Sequence, residues 1–150
     1  MEQVDGSQAF LHSLLEHEVL FSWSPRYNLG IPVVDEQHRG IVTTINSLHF
    51  AIEHGQGIIM LEPVVKMVSA YTLVHFDTEE SFFKACDFPY LEEHQELHNV
   101  LRQRLSAIGE KSLNEQNPLE FLNFLKNWFV DHICEKDRMF KEFLMEMARM

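Results

Sequence analysis

Residues 117–137 read NPLEFLNFLKNWFVDHICEKD and begin with a strong signal for the start of a helix. Asn117 is a residue type that caps helices, Pro118 suits the first helical position, and Glu120 can complete a capping box. The helix that starts here can continue nearly to Met147, and it carries His132 and Asp137 five residues apart. This stretch therefore predicts one long helix at the end of the chain.

Three further long helices are predicted upstream, each bounded by glycine or proline. They cover about residues 35–53, then 61–86 with Pro63 in the first turn, then 90–108 with Gly109 at the end. No segment alternates apolar and polar residues with a period of two, so strands are not supported. The chain is expected to be all-α, an antiparallel up-down-up-down four-helix bundle.

The 150 residues are expected to form one domain, with residues 1–22 as an N-terminal extension and residues 23–150 as a bundle with a preceding arm. Apolar residues at helical spacing in the first twenty positions predict a short accessory helix that packs on the bundle. The arm, WSPRYNLGIP at residues 23–32, contains two prolines and a glycine. A hydrophobic content of 45%, with 12 Phe, is enough for a substantial core.

Charge and cysteine content limit the partners. The chain has 12 basic and 23 acidic residues and a formal charge of −11, the wrong sign for binding nucleic acid or anionic lipid. The first twenty residues contain no Lys or Arg, and no apolar run approaches the roughly 20 residues that span a bilayer. Cys86 and Cys134 are isolated thiols, which suit a reduced compartment. A cytoplasmic protein without membrane insertion is expected.

Nine histidines are the compositional feature that points to chemistry. Five of them, with two carboxylates, fall on apolar faces of the four predicted helices, where unpaired polar groups are costly to bury. Because neighbouring helices run in opposite directions, these residues lie within about two helical turns of one another along the bundle axis. The set is His38, His75, Glu79, His94, His98, His132 and Asp137. One shared site is geometrically feasible.

Seven such ligands are too many for one tetrahedral Zn²⁺, and five imidazoles argue against Ca²⁺ or Mg²⁺. A pair of first-row ions with bridging carboxylates fits better, and iron is favoured. Two octahedral ions need about twelve contacts. Five imidazoles and two bridging carboxylates supply about nine, and a shared oxygen supplies about two more, so one coordination position stays open. A small ligand is expected to bind there.

Over about residues 22–145, the chain resembles the hemerythrin family in its bacterial form. The matching stretches are WSPRYNLGI (23–31), VDEQH (34–38), HFDTEE (75–80), YLEEH (90–94) with His98, and WFVDHI (128–133) with Asp137. The resemblance implies a di-iron centre with an oxo or hydroxo bridge. His94, His98 and His132 would hold one iron, His38 and His75 the other, and Glu79 and Asp137 would bridge them.

The function that this resemblance implies is reversible O₂ binding at the iron with two histidines, for carriage, storage or delivery. No histidine has Glu three residues before it, so the Glu-x-x-His pairs of carboxylate-rich di-iron enzymes are missing, and a non-enzyme is expected. Two alternatives stay open: a sensor of O₂, NO or redox state, and a ferroxidase or peroxide-reducing enzyme. NO or a small anion is a further candidate ligand of the open iron.

Five apolar residues next to ligands are candidates for the wall of the O₂ pocket, although each can equally be ordinary bundle core: Ile41, Phe76, Trp128, Phe129 and Ile133. Two stretches depart from the family's usual residues. Phe129 stands where Leu is common, and Gly40-Ile41-Val42 stands where Leu-Phe is common. These departures bear on O₂ affinity and on autoxidation.

The spacing of His132 and Asp137 carries a structural prediction. Residues four apart on a regular helix are separated by about 40°, whereas residues five apart are separated by roughly 140°. For both to reach one centre, either the helix must be distorted between them, for example by a π-type turn, or the Asp137 side chain must swing round.

Overall fold

The computed structural model describes residues 24–128, His132 and residues 137–149. A 3₁₀ turn at Pro25–Tyr27 precedes five α-helices. They are α1 (Pro32–Glu53), α2 (Gly57–Ala85), α3 (Leu91–Asn114), α4 (Pro118–Trp128) and α5 (Asp137–Ala148). Within these ranges there is no strand, which confirms the all-α prediction. The predicted accessory helix in the first twenty residues lies outside the described residues.

The first three α-helices end in the same way, with a left-handed residue that allows a short turn. That residue is Gly55 after α1, Asp87 after α2 and Gln116 after α3, with φ of 72°, 53° and 51°. Each ending has the two backbone hydrogen bonds of a Schellman motif. After α1, for example, the Gln56 N–H donates to Ala51 O at 2.7 Å and the Gly55 N–H donates to Ile52 O at 3.2 Å. Short, defined turns therefore connect α1 to α2, α2 to α3 and α3 to α4.

Helix packing produces one large apolar core and a smaller aromatic one. α1 packs on α2 and α4, α3 packs on α2 and α4, and α2 also touches α4. The large core includes Ile45, Leu48 and Phe121, all fully buried. In the smaller core, Phe140 of α5 lies 4.2 Å from Phe83 of α2, between ring centroids. This arrangement is consistent with a helical bundle.

Two sequence-based helix boundaries are wrong. α2 begins at Gly57, so Pro63 lies inside the helix instead of in its first turn. Pro63 has no N–H to donate to the carbonyl oxygen of Ile59. The loss of this backbone hydrogen bond is tolerable because Ile59 is 76% exposed and open to water. α3 continues through Gly109 to Asn114. A Cβ on Gly109 would lie 3.0 Å from Val65 Cγ1, so this glycine permits close packing of α2 and α3.

The start of α4 agrees with the sequence. The Glu120 N–H donates to Asn117 Oδ1 at 3.2 Å, so Asn117 is the predicted N-cap. The Glu120 carboxylate, however, accepts a hydrogen bond from Lys111 Nζ at 2.6 Å. Glu120 therefore links α4 to α3.

α2 is long and apolar enough to cross a membrane by length and composition alone. This finding runs against the expectation that no segment of the chain is apolar enough. Of its most apolar window, 28% is buried, and Met67, Leu73 and Val74 are among its exposed residues. The absence of membrane insertion remains a prediction.

Candidate metal centre

The structure brings together all seven side chains that the sequence singles out. α1 supplies His38, α2 supplies His75 and Glu79, α3 supplies His94 and His98, and Asp137 is the first residue of α5. His132 lies between α4 and α5. His94 is 8% exposed, and each of the other six is at most 1% exposed. A polar cluster has therefore been enclosed among α1, α2, α3 and α5, together with His132.

The ligand-type atoms form two overlapping groups. In one, atoms of Glu79, His94, His98 and His132 all lie within 4.8 Å of one another. In the other, atoms of His38, His75, Glu79 and Asp137 do so. Three histidines therefore belong to one group and two to the other, the same division that the resemblance implies.

Both carboxylates lie between the two groups. Glu79 directs Oε1 towards His38 Nε2, at 3.9 Å, and contacts His75 Nε2 with the same oxygen. Its other oxygen, Oε2, is 3.3 Å from His94 Nε2. Asp137 Oδ2 is 3.2 Å from His38 Nε2, and Asp137 Oδ1 is 3.3 Å from His94 Nε2 and 3.4 Å from His132 Nε2. Each carboxylate therefore offers one oxygen to each group.

His132 and Asp137 meet despite their five-residue spacing. His132 has π-helical geometry, in which hydrogen bonds join residues five apart. A π-type turn is one of the two predicted outcomes, and the geometry at His132 itself agrees with it. Asp137 is fully buried in contact with His132, so it does not point to solvent.

Many polar atoms of this cluster have no hydrogen-bond partner among the described residues. They include all four carboxylate oxygens of Glu79 and Asp137 and the Nε2 atoms of His94, His98 and His132. Burying a polar group without a hydrogen-bond partner costs on the order of several kcal/mol. Imidazole nitrogens and carboxylate oxygens that converge in this way match the ligand preferences of first-row transition metals. The residues therefore fit a metal centre.

The carboxylates of Glu79 and Asp137 stabilise positive charge in the space that they share with the histidines. Burial lowers the pKa of His38 and of His94, but the nearby carboxylates of Asp137 and Glu79 outweigh burial and raise each pKa to about 9. Burial lowers the pKa of His98 to about 3 and also lowers the pKa of His132. Although burial opposes it, the facing histidines hold the pKa of Glu79 and of Asp137 below their usual values. These carboxyl groups are therefore ionised and attract cations.

Two further side chains orient histidines of the centre, although their positions in the sequence do not indicate this role. His98 Nδ1 donates to Glu80 Oε1 at 3.2 Å. His75 Nδ1 donates to Gln37 Oε1 at 3.2 Å, and Gln37 Nε2 donates to Thr78 Oγ1 at 3.1 Å, which fixes the direction of the amide. With Nδ1 protonated, Nε2 of each ring carries the lone pair that a metal requires.

Glu80 belongs to a charged group on the outer side of His98. Arg102 Nη2 lies 3.2 Å from Asp77 Oδ1 and 4.0 Å from Glu80 Oε2. The Arg102 guanidinium also lies 5.3 Å from the centroid of the Phe76 ring, which stacks on the His98 ring at 3.8 Å. The His98 ring is therefore fixed both at its edge and on its face.

The apolar candidates are placed in part. Phe76 stacks on His98, and Trp128 stacks on His132 with centroids 6.3 Å apart. Ile41 is fully buried in the large core. Phe129 and Ile133 lie outside the described residues. A role in an O₂ pocket remains a prediction for all five.

Comparisons with known proteins agree with this geometry. The family model for the hemerythrin HHE cation binding domain matches residues 29–144. A bacteriohemerythrin of Stenotrophomonas maltophilia is 29% identical over 124 residues, 82% of this chain and 80% of that protein. One of Ralstonia nicotianae is 30% identical over 85% of this chain and 90% of that protein. A hemerythrin-like protein of Naegleria gruberi is 26% identical over 81% and 91%. The chain belongs to the hemerythrin family.

Proposed function

We propose that this protein is a non-enzymatic di-iron protein that binds O₂ reversibly inside an antiparallel up-down-up-down four-helix bundle. The observation that carries the proposal is the pair of buried carboxylates, each with one oxygen towards a three-histidine group and one towards a two-histidine group. His94, His98 and His132 would hold one iron, and His38 and His75 the other. Glu79 and Asp137 would bridge them, together with an oxo or hydroxo group.

Two ferrous ions would supply the two electrons that reversible O₂ binding requires. The chain contributes positioning and exclusion of water. Gln37 and Glu80 fix the tautomers of His75 and His98, so that each presents Nε2 to the centre. Phe76 covers the face of His98 and is fully buried, which keeps water away from that side.

The balance of ligand types supports binding over turnover. Five neutral imidazoles place less negative charge on two irons than a carboxylate-rich set would, so highly oxidised states are less stabilised. The group with only two histidines offers fewer protein ligands, and O₂ would bind there. The similarity to relatives named bacteriohemerythrin supports the proposal. A cytoplasmic location is part of the same proposal, from the isolated cysteines.

The test is a cycle of oxygenation. The iron-loaded protein is reduced without oxygen, exposed to O₂ and then deoxygenated repeatedly while its visible spectrum is recorded. We expect two irons per chain and a charge-transfer band that appears with O₂ and disappears without it. Immediate irreversible oxidation would contradict the proposal and favour a redox sensor. Sustained consumption of peroxide or ferrous iron would favour an enzyme, and a single zinc would exclude the di-iron centre.

Replacing Glu80 with glutamine should weaken metal binding without unfolding the protein. The substitution keeps the size of the side chain but removes the anionic acceptor of the His98 Nδ1–H. Loss of such an outer partner typically lowers metal affinity by about 10- to 100-fold. Competition with a chelator, using Co²⁺ as a spectroscopic probe, measures the change. Glu110→Gln, at an exposed position of the same helix as His98, is the control. Equal affinities for the two variants would refute the role of Glu80.

A further inference from the structure

A cavity of about 260 Å³ lies beside the metal centre, at the beginning of α3. Phe88 and Tyr90 come from the turn before α3, Met139 comes from α5, and the remaining lining residues are in α3: Glu93, His94 and Leu97. Tyr90 is 47% exposed and Met139 is 46% exposed, so the cavity has an edge in contact with solvent. The function proposed above assigns it no role.

His94 connects this cavity to the interior of the centre. Its side chain lines the cavity, and it is the most exposed of the seven ligand-type residues, at 8%. On the other side, its Nε2 lies 3.3 Å from Glu79 Oε2 and 3.3 Å from Asp137 Oδ1. One residue therefore touches both the cavity and the two carboxylates shared by the metal groups.

Size and charge both suit a hydrated divalent cation. Six waters at about 30 Å³ each require on the order of 180 Å³, which is less than the cavity volume. The wall carries one carboxylate, Glu93, and no basic residue besides His94. The protein as a whole carries a formal charge of −11, so cations are attracted towards its surface. A carboxylate near the edge offers an oxygen ligand while the ion begins to lose water.

We propose that this cavity is the route by which divalent metal ions enter and leave the centre, with Glu93 as a transient ligand and His94 as the first permanent one. The proposal rests on the proposed function, because it requires the metal centre. A hydrated ion first binds Glu93. The His94 ring then turns towards the cavity and loses its Nε2 proton to solvent water, so that Nε2 replaces one water on the ion, which next passes to Glu79 and Asp137. Release follows the same path in reverse.

Rates of metal transfer test the route, with Co²⁺ and Fe²⁺ as probes and two pairs of matched variants. Glu93→Gln removes the carboxylate of the cavity, and Glu92→Gln makes the same charge change at the adjacent exposed position, which does not line it. Met139→Trp fills the cavity, whereas Met145→Trp places the same bulk at a Met of α5 with similar exposure, 49%. Stopped-flow absorbance of Co²⁺ gives uptake, and transfer of Fe²⁺ to a chelator gives release.

We expect Glu93→Gln to slow uptake and release alike, by up to about tenfold, because the shared path loses its transient ligand and its local negative charge. Met139→Trp should slow uptake and release alike, on the order of tenfold, because the indole must move aside at each passage. Both variants should still bind two ions with unchanged affinity. If two ions bind and both variants match their controls in rate, the route is wrong while the proposed function stands. If the unaltered protein binds no Co²⁺ and no Fe²⁺, the proposed function itself fails.

Discussion

In the proposed di-iron centre, replacing Asp137 with alanine should reduce the bound metal from two ions per chain to at most one. Asp137 directs Oδ2 to His38 and Oδ1 to His94 and His132, so one substitution removes a ligand from both groups. Loss of an outer partner alone costs up to about 100-fold in affinity, and loss of a shared ligand should cost at least that much for the second ion. Metal analysis after gel filtration measures the stoichiometry.

The control for this prediction is Glu142→Ala, which removes a carboxylate from an exposed position of the same helix. Circular dichroism of the metal-free variants separates loss of metal from loss of folding. Two ions bound to a folded Asp137→Ala variant, with the affinity of the unaltered protein, would show that Asp137 is not a bridging ligand.

The position of Asp137 also shows what the sequence could predict at this site. The five-residue spacing from His132 requires either a distorted helix or a displaced side chain, and the backbone at His132 is π-helical. Such a prediction is possible because both residues lie on one short segment, where local geometry decides the outcome. The seven ligand-type residues could be selected for a similar reason, since each is a polar residue on an apolar helix face.

Glu80 and Gln37 could not be identified in the same way. Glu80 follows Glu79 in the chain, and such pairs of acidic residues usually lie on a solvated face. Its partner His98 is 18 residues away, and Gln37 and His75 are 38 residues apart. Whether these side chains meet depends on how neighbouring helices are rotated about their axes. Helical periodicity indicates which face is buried, but it does not fix that rotation to within one residue.

Glycine and proline were informative about the existence of helices and less so about their ends. Pro118 and Asn117 marked the start of α4 correctly, because the N-cap is a local interaction. Gly109 was expected to end α3, but it lies where α2 approaches too closely for a side chain. A glycine needed for turning and a glycine needed for close packing are the same letter in a sequence. Only the position of Val65 distinguishes them.

Replacing Phe76 with alanine should cause a large loss of stability. Phe76 is fully buried, and its ring contacts His98 at 3.8 Å, His132 at 5.4 Å and Trp128 at 6.4 Å, between centroids. Truncating a buried Phe costs about 3–5 kcal/mol in the free energy of unfolding. For a chain of this length, that corresponds to a decrease in Tm of roughly 6–20 °C. Thermal denaturation of the metal-free protein measures it.

Phe121→Ala is the matched control, because it separates a general effect of the core from an effect on the centre. Phe121 is also fully buried, but its described ring contact is with Phe124 and not with a histidine of the centre. We therefore expect a similar decrease in Tm from Phe121→Ala. In Phe76→Ala alone, the face of His98 loses its stacked ring, and the cavity that remains lies beside the ligands.

The readout that distinguishes the two variants is the behaviour of the loaded centre at a temperature where both are folded. Water that enters beside His98 would compete with the protein ligands for the metal. It would also speed oxidation of the ferrous protein in air. Iron transfer to a chelator and autoxidation should therefore be several-fold faster for Phe76→Ala than for Phe121→Ala. If the two variants lose stability equally and also release iron and oxidise at equal rates, Phe76 serves only as core. Its stacking on His98 would then have no part in protecting the metal.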